Sequence, residues 1–229
     1  MHGPESIGKH ALVKLDALGL PLTFHADTLL MTWITMAIVI LVAWLATRRI
    51  VVEKPTGRWQ VFMEMVVEGL IDQVKNTAGE KAKAIAPLII TLFLYLVFAN
   101  WLGLVPGGFT SPTVDLNTTL AMAVMIGLSV HVIGTARSGL SHFKHLFQPY
   151  WFFFPINVME EISKPMTMSL RLFGNILAGE ILLIILAFLV PWLIPTAWLV
   201  FSIFVGVIQA LIFTVLSIVS LAGAFNDHH

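Results

Sequence analysis

Ionisable side chains inside long apolar stretches are the residues of this sequence best placed to do chemistry. Five lie between residues 155 and 192, and one lies in an earlier apolar run: Glu160, Glu161, Lys164, Arg171, Glu180 and His131. A charged side chain at the centre of a membrane helix costs about 2.5 to 3.5 kcal/mol on the insertion scale, and such residues commonly mark ion paths. Arg171 keeps its charge even when buried and cannot relay protons, whereas carboxylates can carry them. The pattern predicts an ion path centred on Arg171.

Helical geometry divides these residues between two faces. At about 100° per residue, Glu160, Lys164, Arg171 and Asn175 fall within one narrow stripe. Glu180 lies nine residues beyond Arg171. It therefore points to the opposite side of the helix, about 13 Å further along. Two acids separated by a fixed positive charge predict two half-paths with a barrier between them.

Each candidate also has a simpler structural interpretation. Arg171 can pack or extend to the interface, although it lies mid-helix, where the interface is hard to reach. The two adjacent glutamates can be interfacial, and Lys164 is interpreted as interfacial rather than catalytic. His131 fits a satisfied polar residue within a helix bundle better than a proton relay, but it stays a candidate for the path. Gln209 can join two helices by a hydrogen bond.

The composition predicts a membrane protein, whose helices must position these side chains. Apolar residues make up 58% of the 229 residues and charged residues 11%, against roughly a quarter charged in a soluble domain. We therefore expect an all-α membrane protein with about five transmembrane helices, one amphipathic interfacial helix, and long, tilted last two helices. In this single domain of residues 1–229, the predicted parts are an outside amino-terminal segment 1–26, spans 27–49, 84–105, 116–136, 155–192 and 196–225, and an amphipathic helix 58–78.

The segment after the first span has two different faces. Apolar residues recur there at helical spacing, and polar residues fall four apart on another face. The apolar set is Trp59, Phe62, Met63, Val66, Leu70 and Val74, and the polar set is Gln60, Glu64, Glu68 and Asp72. The pattern predicts a helix that lies on the membrane or a partner, or one that packs on the core of the chain itself.

The loop charges predict the orientation of the chain. Seven Lys and Arg residues lie between Arg48 and Lys83, and the loop after the third span holds Arg137 and Lys144. The loops after the second and fourth spans hold none, and Pro106 to Gly108 and Pro191 mark where they turn. By the positive-inside rule the amino terminus is outside and the carboxyl terminus cytoplasmic. The first apolar run starts at Leu29, too far from the terminus for a cleaved signal peptide.

A longer motif around the arginine closely resembles a known family signature. Residues Ser169 to Glu180 read SLRLFGNILAGE and follow Ser163-Lys164-Pro165. This run resembles subunit a of the rotary F-type ATP synthase. The resemblance extends to the Pro55-Thr56-Gly57 turn, to the end of the second span at Asn100 and to Gln209, so it covers most of the chain.

The resemblance implies a stator subunit of the membrane sector that lies against a rotating ring of c subunits. Arg171 would separate two half-channels, with Glu180, Asn175 and Gln209 lining the outside one, and Glu160 or Glu161 the cytoplasmic one. Ser202 stands where some relatives have a histidine, and Gly103 where some have an aspartate. The implied partners are the c ring, b-type peripheral stalk subunits, lipid and a translocated proton or sodium ion, in a bacterial plasma membrane or an organellar energy-transducing membrane.

Other function classes have less support in the sequence. Without a GxxxxGK loop we expect no nucleotide site, and we expect no cofactor and no metal. The net charge of zero gives no reason to expect nucleic acid. A secondary transporter would need inverted repeats, and an intramembrane protease would need an HExxH or GxSxG motif; we find neither.

Overall fold

The computed structural model describes residues 12–17, 20–48, 57–105, 110–139, 147, 150–190 and 193–226. Several predicted features lie outside these residues. They are the first part of the amino-terminal segment, Pro55 and Thr56, the break at residues 106–108, Lys144, Pro191, Trp192, and the carboxyl-terminal Asp227 and His228.

Six α-helices make up most of the described chain. They are α1 (Ala26–Thr47), α2 (Arg58–Ala78), α3 (Ala86–Leu102), α4 (Leu116–Ser138), α5 (Phe154–Leu189) and α6 (Leu193–Asn226). Three short 3₁₀ helices precede α3, α4 and α5, at Glu80–Ile85, Pro112–Val114 and Trp151–Phe153. Within the described residues, five helices are long and apolar enough to cross a membrane, and α2 is the sixth. The predicted all-α membrane fold is confirmed.

A small β-hairpin precedes the helices and was not predicted. Strands β1 (Leu12–Ala17) and β2 (Leu20–His25) pair antiparallel, with Leu12 opposite His25 and Ala17 opposite Leu20. Strands this short give only a weak alternating signal in a sequence, and a weak signal does not distinguish a hairpin from a loop.

The bundle has two ends that its polar contacts identify. At one end, which we call the Ser111 end, Thr28 at the start of α1 donates a 3.2 Å hydrogen bond to Asp115, the N-cap of α4. At the other, the Arg137 end, the Arg137 guanidinium lies 4.3 Å from the centre of the Phe225 ring, which brings the ends of α4 and α6 together. The core between them is apolar and includes the fully buried Ile89, Leu96, Leu172 and Phe213.

The amphipathic helix α2 combines the two interpretations of its pattern. Leu70, Val74 and Ala78 in its second half are buried in the core, where α2 packs against α3 and α6. Trp59 and Phe62 in its first half are 52% and 53% exposed. Half of the apolar stripe is therefore used within the chain, and half is left for a surface outside it.

Helix α5 continues through Pro165, and α6 contains Pro195 in its first turn. A proline in the first turn removes no helical hydrogen bond, because the first amides of a helix have no partner within it. Pro195 therefore costs α6 no hydrogen bond, whereas Pro165 lies inside α5 and removes one. The two longest helices pack against each other.

Candidate ion path

Arg171 lies close to the midpoint of the 36-residue helix α5, on its exposed face. Glu160, Lys164 and Asn175 are exposed as well, on the stripe that helical geometry assigns them. The buried residues of α5 are Met168, Ser169 and Leu172, and the Ser169 hydroxyl forms a 3.3 Å hydrogen bond with Thr119 on α4. Packing of this buried face against α4 turns Arg171 away from the rest of the bundle.

A cavity of about 270 Å³ opens between α3, α5 and α6, and we call it the Glu180 cavity. Three predicted site residues, Asn175, Glu180 and Ser202, line it. Its other lining residues are Asn100, Gly103, Leu104, Ile176, Ala178, Gly179, Leu182, Trp198, Phe201, Val205 and Gly206. The wall is mostly apolar, and among its lining residues Glu180 is the one ionisable side chain.

The Glu180 carboxylate lies where α3 ends and the segment before α4 begins. The backbone N–H of Ser111 and this carboxylate are neighbours, because a Cβ atom built on Gly103 would lie 3.0 Å from Ser111 N and 2.8 Å from Glu180 Oε1. The side chain is therefore held between an amide donor and a residue without a side chain.

A buried network of polar side chains fixes this wall of the cavity. Ser111 Oγ donates to the Ala99 carbonyl at 2.8 Å, and Thr113 Oγ1 donates to the Asn100 side-chain oxygen at 3.0 Å. Asn100 Nδ2 donates in turn to the Gly206 carbonyl on α6 at 3.0 Å. Buried polar groups hold their geometry when they are paired in this way, because breaking any pair leaves an unsatisfied group.

A second cavity, of about 150 Å³, lies between α4, α5 and α6, and we call it the Glu161 cavity. Glu161 and Lys164 line it together with Ser220 of α6. His131 Nε2 lies 3.6 Å from Glu161 Oε1, and Lys164 Nζ lies 3.8 Å from Glu161 Oε2. The carboxylate that lines this cavity is therefore within 4 Å of an imidazole on α4 and an ammonium group on α5.

The adjacent Glu160 is placed differently. Its side chain is 64% exposed, against 24% for Glu161, and its Oε1 lies 3.2 Å from Lys164 Nζ. The structure therefore distinguishes the two acids, which the sequence could not do. Glu161 faces a cavity, and Glu160 faces the outside of the bundle.

The predicted residues fall into two groups rather than one site. Along α5, Glu161 precedes Arg171 by ten residues and Glu180 follows it by nine. Each acid is therefore between two and three helical turns from the arginine, on either side of it. Gln209 is buried on α6 and does not line either cavity.

Two residues next to Glu180 were not predicted from the sequence to have a role in the site. Ser111 acts through its backbone N–H, and Gly103 acts by lacking a side chain. The available signal was the Ser111-Pro112-Thr113 turn before the N-cap Asp115. Such a turn indicates an ordered segment but not its neighbour on α5.

The sequence of this chain matches one known protein family over most of its length. A family model described as ATP synthase A chain matches residues 29–222. ATP synthase subunit a of Desulforamulus reducens is 42% identical over 221 residues, covering 91% of this chain and 84% of the relative. The subunit a proteins of Acidothermus cellulolyticus and Geobacter sulfurreducens are 38% and 37% identical, and the matches cover 97% and 89% of this chain and 86% and 90% of the relatives. The chain therefore belongs to the ATP synthase A chain family.

Proposed function

We propose that this multi-pass membrane protein is the proton-conducting stator subunit of a rotary ATP synthase. In this proposal a ring of c subunits lies against the exposed face of α5, and Arg171 separates two half-channels. The Glu180 cavity belongs to one half-channel and the Glu161 cavity to the other. Ion flow through them turns the ring and is coupled to ATP synthesis in the rest of the complex.

One observation carries the proposal most directly. The two cavities lie against opposite halves of α5, each contains one partly buried glutamate, and Arg171 lies between them on the exposed face. A continuous pore would let ions leak without work, whereas two separate cavities require a moving carrier between them. A carboxylate on a rotating ring is a carrier of the right chemistry.

The charges of these residues suggest the order of proton transfer in this proposal. A ring carboxylate releases its proton towards Glu161, passes Arg171 as an anion, and takes a proton from Glu180. Arg171 favours the anion by direct attraction and repels a free cation, because a guanidinium stays charged at any physiological pH. Asn175 and Ser202 supply hydrogen bonds along the Glu180 cavity, and His131 faces Glu161 in the other.

Orientation and partners are part of the same proposal. In this proposal the Arg137 end is cytoplasmic and the Glu180 cavity opens to the outside. The basic residues of the described helix termini support this orientation, because they lie at the Arg137 end. The exposed half of α2 lies at the membrane interface, and b-type stalk subunits complete the stator.

The test is ATP synthesis driven by a proton gradient in membrane vesicles whose complex carries Arg171→Ala. We expect synthesis to fall by about a hundredfold or more, which corresponds to about 2.7 kcal/mol of barrier, while the complex stays assembled. Passive proton leak should rise, because the fixed charge between the half-channels is gone.

Arg48→Ala is the matched control, since Arg48 is an exposed arginine at the end of α1 that stacks on Trp44. It should leave both synthesis and leak unchanged. Near-normal coupled synthesis in an assembled Arg171→Ala complex would overturn the separator role.

A further inference from the structure

The backbone conformation of the glycine that follows α3 does not require a glycine. Gly103 has φ −68° and ψ −17°, an ordinary right-handed conformation that any residue adopts. Glycine at this position therefore has to be explained by space rather than by conformational freedom.

Space around Gly103 is limited on two sides. A Cβ atom there would lie 2.7 Å from Ser111 Cβ and 2.8 Å from Glu180 Oε1. Both distances are well inside ordinary contact between carbon or oxygen atoms, which begins at about 3.5 Å. Any side chain at position 103 collides with both of these neighbours.

Ser111 is the neighbour that is costly to move. It is 3% exposed, and its hydroxyl is bonded to the Ala99 carbonyl and to Thr113, which holds Asn100. Displacing it would break several buried hydrogen bonds at about 1 to 3 kcal/mol for each unsatisfied group. The Glu180 carboxylate is the end of a flexible side chain, so of the two neighbours it yields more readily and is the one that a side chain at position 103 displaces further.

We infer that Gly103 is a positioning residue, whose missing side chain leaves room for the Glu180 carboxylate to lie against the Ser111 amide at the wall of the cavity. This inference rests on the proposed function of Glu180 as the proton carrier of that half-channel. It adds that the reach of Glu180 is set by its neighbours on α3 and before α4, and not by α5 alone.

The test is a double-mutant cycle in vesicles containing the assembled complex. Gly103→Ala should lower proton-driven ATP synthesis by about tenfold to a hundredfold, the effect of misplacing a reacting group by about 1 Å. Glu180→Asp shortens the side chain and clears the added methyl group. In the Gly103→Ala background Glu180→Asp should therefore raise synthesis, whereas in the wild-type background it should lower it.

A general loosening of the cavity wall would not make Glu180→Asp raise synthesis in one background and lower it in the other. If Glu180→Asp lowers synthesis by the same factor in both backgrounds, the positioning role is overturned. Gly69→Ala on α2, where a Cβ atom meets no atom within 4 Å, should leave synthesis unchanged.

Glu180→Gln separates this inference from the proposed function. Full synthesis by Glu180→Gln would overturn the proton-carrying role of Glu180, and the Gly103 inference with it. Loss by Glu180→Gln together with normal synthesis by Gly103→Ala would overturn the Gly103 inference alone. If Gly103→Ala prevents assembly, adding Glu180→Ala should restore it by removing the colliding carboxylate; failure to restore it would place the clash at Ser111 and overturn the inference.

Discussion

At the scale of single residues, the adjacent glutamates Glu160 and Glu161 of α5 have different environments. Glu161 faces a cavity, His131 and Lys164, whereas Glu160 is mostly exposed and forms its ion pair with Lys164 on the outside of the bundle. A carboxylate within a cavity can exchange protons along a defined path, but an exposed one on the helix surface cannot confine them. The proposal therefore assigns the half-channel to Glu161.

Glu161→Gln is expected to lower proton-driven ATP synthesis by about tenfold or more, since a positioned acid or base typically contributes that much or more to proton transfer. Glu160→Gln removes the same charge one residue away and should change synthesis by no more than about twofold. Synthesis in vesicles at equal content of assembled complex measures both. A larger loss for Glu160→Gln than for Glu161→Gln would reverse the assignment.

The charged side chains of this site could be predicted from the sequence, but its empty space and its backbone amide could not. Arg171 and Glu180 stand out in the sequence, because charges are rare within apolar stretches. Helical geometry also puts them on opposite faces of α5, and the structure has Arg171 exposed and Glu180 partly buried. Gly103 contributes an empty space and Ser111 a backbone amide. Neither contribution can be predicted from the residue type alone. Only the folded contact between α3, the segment before α4, and α5 reveals them.

At the scale of elements, the spans were predictable from hydropathy, but the way they pack was not. Helices α3 and α6 meet at Gly206, where a Cβ atom would lie 3.3 Å from Asn100 Cβ. Trp101 Nε1 donates to the Ile203 carbonyl at 3.1 Å, and Asn100 donates to Gly206 itself. Small residues let membrane helices approach closely enough for such bonds, and this contact forms one wall of the Glu180 cavity.

Gly206→Val should push α3 and α6 apart and break both of these hydrogen bonds. We expect overpacking to cost about 1 to 3 kcal/mol, so that less of the subunit accumulates in membranes and the assembled complex dissociates at a lower temperature. Gly223→Val makes the same change in the same helix, at a site where a Cβ atom meets nothing within 4 Å, and should accumulate normally. Equal accumulation of the two variants would show that the close α3–α6 contact is not required.

At the scale of the whole molecule, charge and hydropathy act together to set the orientation of the bundle. Six basic residues of the described chain lie at or beyond the helix termini of the Arg137 end: Arg48, Arg58, Lys75, Lys81, Lys83 and Arg137. The described residues that connect helices at the Ser111 end, 103–105, 110–115 and 190, contain no Lys or Arg. The same asymmetry was already visible in the sequence, because it depends on the order of the spans and not on their packing.

The sequence contains no cysteine, so single cysteines report position without background labelling. Thr110→Cys and Lys81→Cys place thiols at exposed positions on opposite ends of the bundle. In intact cells a membrane-impermeant maleimide should label Thr110→Cys and not Lys81→Cys; in inverted vesicles the result should be the opposite. The reverse pattern would put the Glu180 cavity on the cytoplasmic side and exchange the two half-channels, so that protons would enter by Glu161 and leave by Glu180 during synthesis. Because Arg171 lies between the cavities in either case, its separator role would survive that result, and the direction of rotation would not.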